Sequence, residues 1–195
     1  MNKKGALSVA ILVGFLILAP LISYVYLKQG YKFRKEALTE LESKGKVAPF
    51  KIQIDSSLVL SDEDVKGKVS VISYIENQPQ NWAYLTAIYH QYKNRKEFNM
   101  WTFAPKVTVV DSITNLPAWS QIEMSSAAYR AFVESSMPKQ EMPAHHHILL
   151  DTTPELRRVY GTSPEEKRKL IEHIVIVLPR TKDSDVIYEV PSEGK

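Results

Sequence analysis

Lys68-Val-Ser-Val-Ile-Ser-Tyr-Ile-Glu76-Asn-Gln-Pro-Gln-Asn-Trp82 decides how the rest of the chain is read. Val69 to Ile75 is a short apolar run rich in β-branched residues, the composition of a buried strand. Pro79 fits the first turn of a helix. Trp82, Leu85 and Tyr89 recur at i, i+3 and i+7, and Ile88 and Tyr92 extend that face, so a helix is expected to run to about Lys93-Asn94-Arg95. In many α/β proteins such a junction carries chemistry, because a helix start offers free N–H groups and a positive dipole end. Here it carries Gln78 and Trp82, with no cysteine, no catalytic serine and no cluster of titrating groups.

Composition narrows the function classes. The chain has 195 residues, 44% of them hydrophobic, which allows one full core plus an anchor or tail. A net charge of +3, with no basic run interleaved with aromatics, argues against nucleic acid as a partner. The absence of cysteine removes disulfides, thiolate nucleophiles, Cys-ligated metals and dithiol redox cycles together.

Working back to the start, Gly5 to Leu27 holds no charged residue. These 23 residues rise about 34 Å as a helix, against a hydrocarbon core of roughly 30 Å. The run is too long for a signal-peptide core, and no A-x-A-like cleavage site follows it, so residues 1–28 are expected to be a retained membrane anchor. Both flanks are basic, which leaves orientation nearly undetermined by charge, with a slight lean toward a cytoplasmic body. Residues 29–46 read as a helical stalk, 47–191 as the folded domain and 192–195 as a frayed tail.

Within the domain, Phe50 to Ile54 alternates as a half-buried strand, and Ser61 caps a turn beginning Asp62-Glu-Asp64. Phe98 to Val110 reads as a strand region and Leu116 to Ser136 as mostly helical. His147 to Leu150 reads as a third core strand. Thr152-Thr-Pro154 opens a short helix whose buried edge is Leu156, Val159 and Tyr160. His173 to Leu178 is the most strand-like run in the chain, pairing with Val186 to Val190 as a hairpin. The whole is an α/β fold with a mixed sheet flanked by helices.

The order of elements resembles the thioredoxin fold, and its details are similar to the Sco branch. That family comprises membrane-anchored copper chaperones and thiol-disulfide proteins that help assemble cytochrome c oxidase. Four features carry the resemblance: the anchor and stalk; the lead-in Leu60-Ser-Asp-Glu-Asp-Val-Lys-Gly-Lys68; Asp151 followed by Leu156-Arg-Arg-Val-Tyr160-Gly161; and Glu172-His173 opening a late apolar run. The resemblance implies a thioredoxin-like domain on the periplasmic side of a membrane, with an oxidase subunit or assembly factor as partner. It also implies a site of two cysteines in a C-P-x-x-C pattern plus a distal histidine. Aligned on Pro79, this chain has Gln78 and Trp82 in the cysteine positions and keeps only His173. Copper(I) needs soft sulfur ligands, which neither an amide nor an indole replaces. The expectation is a degenerate, non-redox, non-enzymatic member without a cofactor, acting by protein binding.

The competing expectation rests on His145-His146-His147. In an extended segment His145 and His147 share a face, and with His173 they could hold zinc or copper(II). The bland reading is a polar loop entering a strand. Glu172-His173 would be neighbours pointing to opposite faces of a strand. No G-x-S-x-G, G-x-G-x-x-G or phosphate loop is present.

Overall fold

The apolar start and the charged segment after it form one uninterrupted helix, α1 (Lys3–Glu40), which passes through Pro20. Its 38 residues rise about 57 Å. From Leu12 onward it is long and apolar enough, by length and composition, to be a candidate membrane span. Phe15, Leu16, Leu21 and Ile22 are all exposed. The computed structural model describes residues 3–53, 59–75, 79–106 and 118–179, and the chain divides into two compact units between Leu41 and Glu42. Gln78, the expected 186–190 strand and the 192–195 tail lie outside the described residues.

The second unit opens with β1 (Lys51–Gln53) and β2 (Val59–Ser61), paired antiparallel. Ser61 then caps a single 3-10 turn, Asp62–Asp64, as its sequence predicts. The Asp64 carboxylate accepts the Ser61 N–H at 2.8 Å and its hydroxyl at 3.0 Å.

The main sheet is built from β3 (Val69–Tyr74), β4 (Phe98–Ala104), β5 (Trp119–Glu123), β6 (His146–Leu150) and β7 (Leu156–Tyr160), in the order β5-β4-β3-β6-β7. The β3–β4 and β4–β5 pairs are parallel, while β6 and β7 join antiparallel, so the sheet is mixed. Helices α2 (Pro79–Tyr92), α3 (Ser126–Ser136) and α4 (Pro164–Val177) flank it. Every residue of β3, β4 and β6 is buried, the pattern of strands covered on both faces. Ile72, Tyr74, Trp101 and Phe103 pack toward Tyr129, Phe132 and Val133 of α3. On the opposite face Trp119 meets Trp82 and Tyr89 of α2, and Tyr160 meets His173 of α4.

Three sequence expectations are corrected. Leu156–Tyr160 is a strand paired antiparallel to β6, and a register shift between Leu149 and Leu150 makes Arg157 an extra residue in the ladder. Leu156 and Val159 therefore both lean on the α3-side core at a spacing of three, which imitates helical periodicity. His173 to Val177 lies on a helix, with Leu178 as its C-cap. The Ser163 hydroxyl accepts the Glu166 N–H, Pro164 occupies the first turn and Glu165 and Glu166 complement the dipole. Each β-branched residue costs only a few tenths of a kcal/mol in a helix, which the cap and the burial of Leu170, His173 and Ile174 outweigh. Finally, Leu116 to Ser136 contains the edge strand β5 before α3, which starts only at the Ser125 cap.

Candidate functional site

The chemistry-bearing residues divide between the two faces of the sheet. At the end of β3 the chain turns into α2, whose first residue is Pro79. Trp82 is 4% exposed, its ring 6.4 Å from that of Trp119, and the Trp119 indole N–H donates to Thr102 Oγ1 at 3.0 Å. The helix start thus holds a packed aromatic at a position where the resemblance implies a thiol.

The histidine triplet is split by the pleat. His147 Nδ1 lies 2.8 Å from Ser73 Oγ, on the α2 and α4 side, with the Tyr84 ring 5.5 Å away. His146 turns to the α3 side, where its Nδ1 sits 2.7 Å from the Pro143 carbonyl and its Nε2 3.0 Å from the Tyr129 hydroxyl. A carbonyl only accepts, so Nδ1 carries the proton and Nε2 accepts from Tyr129. His145 precedes the strand and lies nearly parallel to the Tyr74 ring at 6.1 Å, so it shares the α3 side with His146 and not the face of His147. This corrects the expected pairing of His145 with His147, which required the segment to be extended from His145 onward.

His173 projects from α4, and its Nδ1 lies 2.8 Å from the Tyr160 hydroxyl. Tyr160 stands directly opposite His147 in the β6–β7 ladder. His147 and His173 therefore share a face, and Tyr160 occupies the position between them. Among the described residues no group of three or more His, Asp or Glu side chains converges to hold a metal ion. The trio His145, His147 and His173 is not assembled.

Electrostatics on this face favour neutral groups. Burial pushes the His147 imidazole down to about 3, with the Lys167 and His146 charges adding to the effect. Its Nε2 is buried with no hydrogen-bond partner. Burial likewise lowers His173, with Arg158 acting the same way, and raises the phenols of Tyr84 and Tyr160. Tyr84 donates to the Lys167 carbonyl at 2.9 Å, while the Lys167 ammonium lies 5.0 Å from the Tyr84 ring centre and 3.3 Å from Asn81 Oδ1. A neutral imidazole beside a serine has the composition of a base and an alcohol. Here Ser73 and His147 are both enclosed, at 0% and 1% exposure.

The α3 face holds a cavity of about 320 Å³ between the carboxyl ends of β3 and β4, the start of α3 and the loop into β6. Tyr74, Tyr129, Val133 and Met142 form its apolar wall, and Ser126, Arg130 and His145 also line it. Sequence reasoning missed this cavity and the Ser73–His147–Tyr84 cluster. The usable signal was that β3 ends in Tyr74 and β6 begins in histidines, placing polar aromatics at the strand ends where ligands of α/β sheets bind.

No family model and no curated protein matches the chain in sequence. Among solved structures, BsSco, a member of the Sco family of cytochrome c oxidase assembly proteins, aligns with a TM-score of 0.50 at 15% identity, covering 68% of this chain and 93% of its own. A SCO1/SenC family lipoprotein from Bacillus anthracis str. Ames aligns with a TM-score of 0.51 at 14% identity, covering 69% and 95%. The chain has the thioredoxin-like fold of the Sco proteins. In this Sco-like fold the aligned region is similar in backbone, while the chain holds no cysteine at any position.

Proposed function

We propose that the chain is a membrane-tethered, non-redox, Sco-like protein that acts by binding another protein, in the assembly of a respiratory oxidase or as an accessory component of one. The observation that carries this reading is Trp82 buried at the helix start of a thioredoxin-like fold in a chain with no thiol. Without a thiolate neither dithiol exchange nor soft-metal transfer proceeds by the usual sulfur chemistry, which leaves surface recognition as the use of the scaffold. Residues 1–28 serve as the anchor, 29–46 as the stalk and 47–191 as the binding domain, on the periplasmic side. The description of BsSco as a cytochrome c oxidase assembly protein supports the choice of partner, an oxidase subunit or assembly factor. The His-based copper or zinc reading is weaker, because His145 lies on the opposite side of the sheet from His147 and His173.

Removing the chain from its host and measuring membrane oxidase activity tests the proposal. Activity is expected to fall and to return with the full chain or its His173→Ala variant. It is not expected to return with a form lacking residues 1–28. Unchanged oxidase activity in the deletion would count against the assembly role, and failure of the His173→Ala form alone would revive a metal role.

A further inference from the structure

We infer that the α3-side cavity is a binding site for a small aromatic monocarboxylate. The cavity, at about 320 Å³, falls at the lower end of the range of small-ligand pockets, roughly 300–1,000 Å³. It sits at the carboxyl ends of two parallel strands, the position at which open α/β sheets bind ligands. No residue of the expected metal site except His145 takes part in it.

The wall specifies an aromatic body. Tyr74 and Tyr129 are stacked, with ring centres 4.4 Å apart and planes 18° apart. Tyr129 is held in place by its hydrogen bond to His146, whose own tautomer is set by the Pro143 carbonyl. These rings are therefore positioned before any ligand arrives. Met142 adds a polarisable thioether, which favours the edge of an aromatic ring over an aliphatic chain.

The polar groups specify the charge. Arg130 lines the cavity, is exposed, and forms no ion pair among the described residues. Ser126, also in the lining, is the first residue of α3, so the positive end of an 11-residue helix adds to the guanidinium. The Ser125 hydroxyl takes the Ala128 N–H, leaving the earlier first-turn donors for another acceptor. Tyr74 is 4% exposed and its hydroxyl, unlike that of Tyr129, has no hydrogen-bond partner among the described residues. Donors and a cation without a matching anion call for a ligand oxygen, and a carboxylate on a short arm of the ring supplies it. Among the described residues no acidic side chain lines the cavity to repel one.

Binding of phenylacetate to the full chain in detergent micelles, followed by saturation-transfer NMR and calorimetry, tests the inference. Phenylacetamide serves as the uncharged control and cyclohexylacetate as the non-aromatic one. Saturable phenylacetate binding is expected, weaker for both controls. Arg130→Gln should weaken phenylacetate about tenfold or more while leaving phenylacetamide unchanged, the loss of one charge-assisted contact. Ala144→Trp, an exposed substitution at the cavity wall, should abolish binding of all three, and circular dichroism should show both variants folded as the parent is. Absence of saturable phenylacetate binding, binding that survives Ala144→Trp, or an Arg130→Gln variant that binds phenylacetate as the parent does would each overturn it.

Discussion

Replacing Asp151 by Ala is expected to destabilise the second unit by about 1–3 kcal/mol, the cost of taking the acceptor away from the half-buried donors of its turn. Asp151 follows β6 and is 6% exposed. Its carboxylate accepts the backbone N–H groups of Thr153 and Glu155, each at 2.9 Å, and the Thr153 hydroxyl. It also accepts Arg157 Nε at 3.0 Å and Arg157 Nη2. One side chain therefore closes the β6–β7 turn and anchors the residue that makes the β7 bulge. Alanine would remove the acceptor that the Thr153 and Glu155 N–H groups share, while Arg157 keeps Glu155 at 3.5 Å, against a total stability of about 5–15 kcal/mol for an ordinary domain. Urea unfolding of the full chain in micelles, followed by tyrosine and tryptophan fluorescence, should show a much lower midpoint with an unchanged slope. Asp151→Asn keeps the shape but sets an amide against Arg157, and should fall between the parent and Asp151→Ala. A midpoint shift within experimental scatter for Asp151→Ala would remove the turn from the list of structural supports.

Acidification should destabilise the same unit well before carboxylates titrate. His147 is held neutral down to about 3, whereas an unfolded histidine protonates near 6.5. Its folded pKa is lowered, so the unfolded chain binds the proton first. Its contribution is complete above about 6.5 and is lost as the pH falls from there toward 3. Between pH 7 and pH 5 this one group should cost about 2 kcal/mol, from the linkage relation at about 1.4 kcal/mol per pH unit below the unfolded value. His146 and His173, also lowered chiefly by burial, act with the same sign. Asp151 adds a second loss further down. Burial raises its pKa, but Arg157 and the turn N–H groups more than offset this and hold it below the usual carboxylate range. Its contribution therefore disappears as the pH falls through about 3.8 and below. His147→Leu should flatten the pH 7-to-5 dependence by about one proton, while at pH 7 it should cost about 1–3 kcal/mol because the buried Ser73 hydroxyl loses its Nδ1 partner. Equal pH dependence in parent and His147→Leu would show that His147 is not the group responsible.

How much of this was legible in the sequence depends on the kind of signal. The β3–α2–β4 unit was readable because Val69 to Tyr74 is continuously apolar or small and α2 carries its aromatics at helical spacing. The cap at Ser61 was readable because both partners are local. The late part misled, for physical reasons. A bulge at Arg157 converted a two-residue repeat into a three-residue one, and the Ile-Val-Ile-Val run after His173 carries strand propensity into a helix held by Ser163 and Pro164. The histidine triplet could be assigned faces only once the first residue of β6 was known, and it proved to be His146. The cavity was legible only as polar aromatics at the strand ends. Tyr74, Tyr129 and His145 are far apart in sequence, and only the β3–β6 pairing and the packing of α3 bring them together.

The most direct test of binding as the function is co-migration. Membranes containing the full chain at its natural level are solubilised gently, separated on a native gel and probed for the chain and for oxidase subunits and assembly factors. The prediction is a discrete complex holding the chain and one such protein in fixed ratio, unaffected by thiol reagents or by His173→Ala. Migration of the 22.2 kDa chain alone, or a complex that His173→Ala dissolves, would contradict it.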